Sequence, residues 1–236
     1  MRIITWNCNM AFRKKAEFIL KLKPDVLIVP ECEHLDKLKY EDDTIMPTNT
    51  LWFGTNQNKG LGIFSYGSFK LKLIKTHNPD LRMIVPIAVT GGYKFTLYAI
   101  WANNPADPDG QYVEQVWKAL NHYENGIKSN RTMLAGDFNS NTIWDKKRRL
   151  SNHSNVVKRL EEKGIYSSYH LHHKQIQGKE KHPTFYMSRH RNKPYHIDYC
   201  FISLDMVVKL KSVKIGNYDF WSQYSDHSPF IVDFDI

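Results

Sequence analysis

Five short polar clusters carry the side chains of this 236-residue chain that could do chemistry. Asn7 and Asn9 belong to Trp6-Asn7-Cys8-Asn9, and Glu31 follows Pro30. Asp137 and Asn139 lie in Gly136-Asp137-Phe138-Asn139-Ser140, and His196 and Asp198 in His196-Ile197-Asp198-Tyr199. Asp226 and His227 stand side by side just before the final apolar run. In three of the clusters two polar residues are two apart, so both can face one side of a strand. Adjacent side chains alternate between faces, so Asp226 and His227 can serve one site only from a turn. Each cluster alone has an ordinary structural reading, such as an Asn ending a strand. Together they supply one Glu, three Asp, three Asn and two His. So oxygen-rich a set suits Mg²⁺ or Mn²⁺ rather than zinc. A histidine beside an acid suits activation of water. The combined chemistry is metal-assisted attack of water on a phosphoryl centre.

The elements that must position these residues read as follows. Residues 2–6, 26–29, 51–53, 61–64, 69–74, 83–90, 94–101 and 132–135 are strand patterns, as are 196–202, 207–213 and 230–236. Helical spacing marks residues 11–21, 111–123 (with Val113, Val116, Trp117 and Leu120 as its stripe) and 155–162. Residues 170–193, rich in His and Lys, read as an exposed loop, and His170, His172 and His173 as part of its solvated surface. The strand run from 51 to 101 contains no helix, which favours two packed sheets with outer helices over a doubly wound sheet. The expectation is one domain spanning residues 1–236.

Bulk properties bound the answer. Hydrophobic content of 42% and charged content of 24% are those of a globular chain. No run reaches the length of a membrane span, and the N-terminus lacks the regions of a signal peptide, so a cytoplasmic location is expected. Net charge of +9 favours a polyanionic partner, with the cations gathered at residues 146–149 and 174–193. Cys8, Cys32 and Cys200 have no metal or disulfide spacing and read as buried fillers.

The ordered set Thr5-Trp6-Asn7-Cys8-Asn9, Pro30-Glu31, Gly136-Asp137-Phe138-Asn139, His196-Ile197-Asp198-Tyr199 and Ser225-Asp226-His227-Ser228-Pro229 resembles the endonuclease/exonuclease/phosphatase superfamily. The resemblance spans nearly the whole chain and is far more specific for the superfamily than for any member. It implies an α/β (α+β) fold, a four-layer α/β/β/α sandwich of two mixed or antiparallel sheets flanked by helices. It also implies roles. Glu31 is the principal ligand of Mg²⁺ or Mn²⁺, with Asn9 and Asp226 near the metal. Asp137 orients or deprotonates the attacking water, and Asn7 and Asn139 hold phosphate oxygens and position Asp137. His227 contacts the scissile phosphate and is oriented by Asp198. Which of Asp137 and His227 takes the proton is left open.

The chain departs from the family pattern at Trp101, which stands where many nucleases carry Tyr or His against the phosphate. Indole donates one hydrogen bond and is neither acid nor base. The substrate contact there passes to Trp101 itself and to Asn103 or Asn104, with His196 as a further substrate-binding candidate. The leading expectation is a monomeric Mg²⁺-dependent nuclease on DNA or RNA. The alternatives are a phosphatase or phosphodiesterase for a small or lipid phosphate, and a nucleic-acid-binding module without catalysis. Trp144, Phe185 and Trp221 are candidates for stacking on bases.

Overall fold

The computed structural model describes residues 1–39, 44–81, 83–103, 111–128 and 130–236. The chain runs β1 (Arg2–Thr5), α1 (Ala16–Leu20), β2 (Val26–Cys32), β3 (Asn49–Asn56), β4 (Lys59–Ser65), β5 (Lys70–Leu73), β6 (Ile84–Thr90) and β7 (Phe95–Trp101). It continues α2 (Val113–His122), β8 (Thr132–Asp137), α3 (His153–Glu162), β9 (Ile165–Ser167), α4 (Ser168–His173), β10 (Phe185–Tyr186), β11 (Pro194–Tyr195) and β12 (Asp198–Ser203). It closes with α5 (Leu204–Val207), β13 (Leu210–Ile215), α6 (Tyr218–Trp221) and β14 (Phe230–Phe234).

Among the described residues the strands form two six-stranded sheets, ordered β13-β14-β1-β2-β4-β3 and β5-β6-β7-β8-β12-β9, plus the hairpin β10-β11. Both sheets are mixed: β1 runs parallel to β2 and antiparallel to β14, and β7 parallel to β8. The alternation of side chains divides the apolar residues between layers. Ile3, Ile28, Ala99, Met133, Ala135, Ile202, Phe230 and Val232 fill the space between the sheets. Ile4, Leu27 and Val29 face the other way, onto the layer of Phe12, Ile19 and Leu20. Ile100, Leu134, Tyr199 and Phe201 face Val116, Leu120, Val156 and Leu160 of α2 and α3. This is the expected α/β/β/α sandwich.

Several local expectations are corrected. The helix expected over residues 11–21 is a 3-10 turn, Phe12–Lys14, followed by α1, and the break falls at Lys15, where φ is −133°. Residues 204–207 form a helix, so the strand expected from 207 starts at Leu210. The largest difference is in residues 170–193, expected as a loop. They hold the C-terminal part of α4, the strand β10 and the turn leading into β11, with Thr184 fully buried. His170 is half-buried between Ser167 and Glu180, at 2.7 and 3.1 Å, and His173 meets the Val213 carbonyl, so only His172 of the three is exposed. Elements two residues long have no periodicity to detect, which is why this stretch looked irregular.

Candidate active site

The strand alternation that sorts the core also aims the polar residues. Asn7 continues the parity of Ile3, Asp137 that of Met133 and Ala135, and Asp198 that of Cys200 and Ile202, so all three face the gap between the sheets. The register sets Trp101, Asp137 and Asp198 abreast at the end of the second sheet. Beneath them Gly136 lets β8 close on β7, because a Cβ there would lie 1.8 Å from the Ile100 carbonyl oxygen.

Glu31 has the wrong parity, since Leu27 and Val29 point to the helical layer. A bulge corrects it. The pairing of β2 with β4 slips between Pro30 and Cys32, Glu31 takes φ +63°, and Cys32 resumes the helix-facing row. Bulges re-aim side chains in this way. Asn9 (φ +52°) and Asn139 (φ +47°) are also left-handed. Non-glycine residues in that region are uncommon and gather at functional sites.

Hydrogen bonds join most of these side chains into one group, with the Asp198–His227 pair beside it. Asn7 Nδ2 donates to Asp137 Oδ2 at 3.0 Å and to Glu31 Oε1 at 3.4 Å. Asn139 donates to Asp137 twice, from its backbone N–H (2.8 Å) and from Nδ2 (3.1 Å). Asn9 Nδ2 donates to Asp226 Oδ1 at 3.0 Å, while its N–H reaches Asn7 Oδ1. His227 Nδ1 lies 2.8 Å from Asp198 Oδ2, and its Nε2 lies 3.9 Å from Asp137 Oδ2. The turn carrying His227 is pinned to β1: Ser225 Oγ donates to the Asn7 carbonyl, and Trp6 Nε1 donates to that of His227.

The electrostatics follow from burial. Burial, then the neighbouring Asp198, push the Asp137 carboxyl well above the ordinary carboxylate range. Burial works against a charged His227, but the charge and hydrogen bond of Asp198, with Asp137 and Asp226, outweigh it and hold the imidazole above its ordinary value. Asp137, Asp198 and His227 each bring one ligand atom within 4.8 Å of the others. Asp198 Oδ1 is buried without a hydrogen-bond partner among the described residues. Four carboxylates, those of Glu31, Asp137, Asp198 and Asp226, face the cations His227 and Lys59. That oxygen-rich, net acidic set fits a hard divalent cation.

The sequence-derived candidates divide. Asn7, Asn9, Glu31, Asp137, Asn139, Asp198, Asp226 and His227 come together. Trp101 and Asn103 line a cavity of about 780 Å³ that opens beside Glu31 and Asn139. Asn104 lies outside the described residues. His196 does not join the group: it is buried at 3% exposure, bonded by Nδ1 to the His182 carbonyl and packed on Tyr169 and Tyr199. Burial pulls its imidazole down to about 4. Trp221 is also core, against Trp6. The three cysteines are free and buried.

Two contributors went unnoticed in the sequence. Lys59 Nζ lies 3.2 Å from Glu31 Oε1 and 5.4 Å from the centre of the Trp101 ring. Thr184 Oγ1 accepts the N–H groups of Ile197 and Asp198, each at 3.0 Å, and so fixes the start of β12. A lysine beside a Gly-rich strand and a threonine in a polar stretch carry no distinguishing signal.

A two-sheet sandwich with acids, amides and one histidine converging between the sheet ends defines a class of metal-assisted phosphoester hydrolases. The chain belongs to the Endonuclease/Exonuclease/phosphatase family, whose model matches residues 4–227. Among solved structures it is similar to a 3'-5' exonuclease (NExo) from Neisseria meningitidis, at 21% identity and TM-score 0.70 over 100% of both chains. It is also similar to an AP endonuclease from Archaeoglobus fulgidus, at 15% identity and TM-score 0.68, again over 100% of both chains. Comparison with curated protein sequences gives no match. No helix among the described residues is long and apolar enough to cross a membrane.

Proposed function

We propose that this chain is a divalent-metal-dependent nuclease that hydrolyses phosphodiester bonds of DNA or RNA. The observation that carries the reading is the continuous hydrogen-bonded group Glu31–Asn7–Asp137–Asn139 meeting the Asp198–His227 pair. Glu31, with Asn9 and Asp226 beside it, would hold Mg²⁺ or Mn²⁺, because those oxygens are not committed to the histidine. When bound there, the cation would supply Lewis-acid polarisation of the phosphate. Asp137, kept proton-hungry by burial, orients that water and accepts its proton. His227 is held as a cation by Asp198 and donates from Nε2 to a phosphoryl oxygen as negative charge develops there. The amides of Asn7 and Asn139 lock the Asp137 carboxylate in one orientation, and with it the line of attack.

The experiment is cleavage of labelled single- and double-stranded DNA and RNA with Mg²⁺, with Mn²⁺ and with chelator. Glu31→Gln, Asp137→Asn and His227→Ala should each reduce cleavage by at least about a hundredfold. Full activity in all three variants would sink the assignment. The cavity beside Glu31 is large enough for one nucleotide, which supports a second reading as a phosphatase of terminal or small phosphates. A parallel panel of phosphomonoesters separates the two. Binding of nucleic acid with no turnover under either metal would instead mark a module without catalysis, a reading that the complete polar group argues against.

A further inference from the structure

A row of aromatic rings leads away from His227 toward the surface. Phe185 sits 4.7 Å from the His227 ring, Tyr195 lies 6.3 Å from Phe185, and Trp144 lies 5.0 Å from Tyr195. The row grows more open as it goes: His227 is buried, Phe185 and Tyr195 are half-buried, and Trp144 is 44% exposed. Both ends are fixed to the site. Phe185 bridges to His227, Tyr186 N–H donates to the Asp226 carbonyl at 2.8 Å, and Ser228 N–H donates to that of Thr184. Trp144 ends the 3-10 turn Thr142–Trp144, which follows the Asp137–Asn139 segment after two residues and is capped by Asn141.

The surroundings of the outer end are basic. Lys146, Lys147 and Arg148 follow Trp144 after Asp145 and are exposed, whereas Arg149 is engaged with Glu114. In the loop of the β10-β11 hairpin that carries Phe185 and Tyr195, Lys193 is exposed, whereas Arg191 is paired with Asp219 and Arg189 donates to the Gln223 and Tyr224 carbonyls. Exposed indole beside unengaged cations is the pairing that binds a polyanion with accessible ring faces. In a duplex the base faces are covered by their neighbours, so only phosphates could meet this surface. In a single strand an unstacked base can lie flat on an indole.

From this juxtaposition we infer that the Trp144–Tyr195 edge is a docking track for single-stranded nucleic acid. Bases stack on the two rings, and the backbone passes over Lys146, Lys147 and Arg148 toward His227. This rests on the nuclease reading and sharpens it: the substrate is a single strand, or the unpaired tail of a duplex, rather than fully paired DNA or RNA.

The test is binding by fluorescence anisotropy in a Glu31→Gln background with chelator, so that nothing is cut, using a labelled single-stranded oligonucleotide and a blunt duplex of the same sequence. Trp144→Ala should weaken single-strand binding by about five- to a hundredfold and leave duplex binding within twofold, and Trp144→Phe should recover most of the loss. Replacing Lys146, Lys147 and Arg148 with Gln should lower the single-strand salt slope by about two. Thermal melts confirm that the variants fold. Equal loss on both substrates, or no loss on either, overturns the track while leaving the nuclease reading intact. Failure of the parent protein to bind any nucleic acid overturns both.

Discussion

Lys59 stands where a divalent cation would compete with it, and replacing it should tighten metal binding. Its Nζ is 3.2 Å from Glu31 Oε1, with the two side chains 38% and 18% exposed. At that distance and an effective dielectric near 20 the Coulomb attraction is about 5 kcal/mol. The lysine is more than a third exposed, and fully exposed pairs are worth less than about 1 kcal/mol, so solvent screening reduces the figure to about 1–2 kcal/mol. A cation arriving at Glu31 must displace the ammonium and forgo that amount. Lys59→Met keeps the stem against Trp101 and removes the charge. Mg²⁺ or Mn²⁺ should then bind the free protein about five- to thirtyfold more tightly. Calorimetric titration at low ionic strength measures this directly, and the gap should narrow in 0.5 M salt as screening weakens the ammonium. In a Glu31→Gln background the lysine substitution should have little effect. Unchanged or weaker metal affinity in Lys59→Met would refute the argument, because it would mean that the ammonium and the metal do not contend for one carboxylate.

Three further outcomes follow from the geometry. Asp198→Asn keeps the shape of the pair but removes the charge facing His227 Nδ1, and kcat/KM for cleavage should fall by about ten- to a hundredfold with a melting temperature little changed; native activity would dismiss the pair. Gly136→Ala forces a Cβ onto the Ile100 carbonyl at φ +147°, and the melting temperature should drop by about 10 °C, an unchanged melt showing that β7 and β8 can part freely. Acid should destabilise the fold in two stages. Burial holds His153 and His196 down to about 4, so the unfolded chain binds their protons first and stability is lost as pH falls from 6.5 towards 4. Burial raises the Glu180 carboxyl, but hydrogen bonds from His170 and the Gly178 N–H outweigh it and bring it down to about 2, so its contribution is present above about pH 4.5 and lost below. The raised Asp137 carboxyl takes its proton first in the folded chain and opposes part of the first stage. Urea midpoints measured from pH 7.5 to about 3 should therefore fall less steeply than the two histidines alone would give, and His196→Gln should flatten the first stage; a first stage as steep in His196→Gln as in the parent would contradict it.

The residues that converge between the sheet ends are readable from sequence, but the geometry that unites them is not. Residues two apart share a strand face, so Asp137 and Asn139 are expected to meet along β8. They do meet, but by a different route: β8 ends at Asp137, and Asn139 folds back through a left-handed turn to place two N–H donors on the carboxylate. Asn9 reaches Asp226 from a left-handed position beyond β1. Glu31 depends on a bulge, and no pattern in Val26-Leu27-Ile28-Val29-Pro30 announces one. His196 shows the opposite error. It shares strand parity with Asp198, yet the chain before β12 turns it into the interior onto Tyr169. Alternation predicts faces only while the strand lasts, and the polar residues sit where strands stop.

That location has an energetic consequence. Asn9, Glu31 and Asn139 each occupy a conformation that costs about 1–3 kcal/mol, and they persist only because their surroundings over-determine them. The restraints come from both sheets. Asn7 of the first sheet ties Glu31 to Asp137 of the second, and the turn bearing His227 is bonded to the Asn7 carbonyl on one side and to Asp198 on the other. The β10-β11 hairpin closes the circuit by holding both Asp226 and the start of β12. The polar group therefore depends on the two sheets keeping their relative position. Substitutions that loosen packing between them, far from any phosphate, should cost activity before they cost fold, since a displacement too small to unmake the core already separates an amide from its carboxylate.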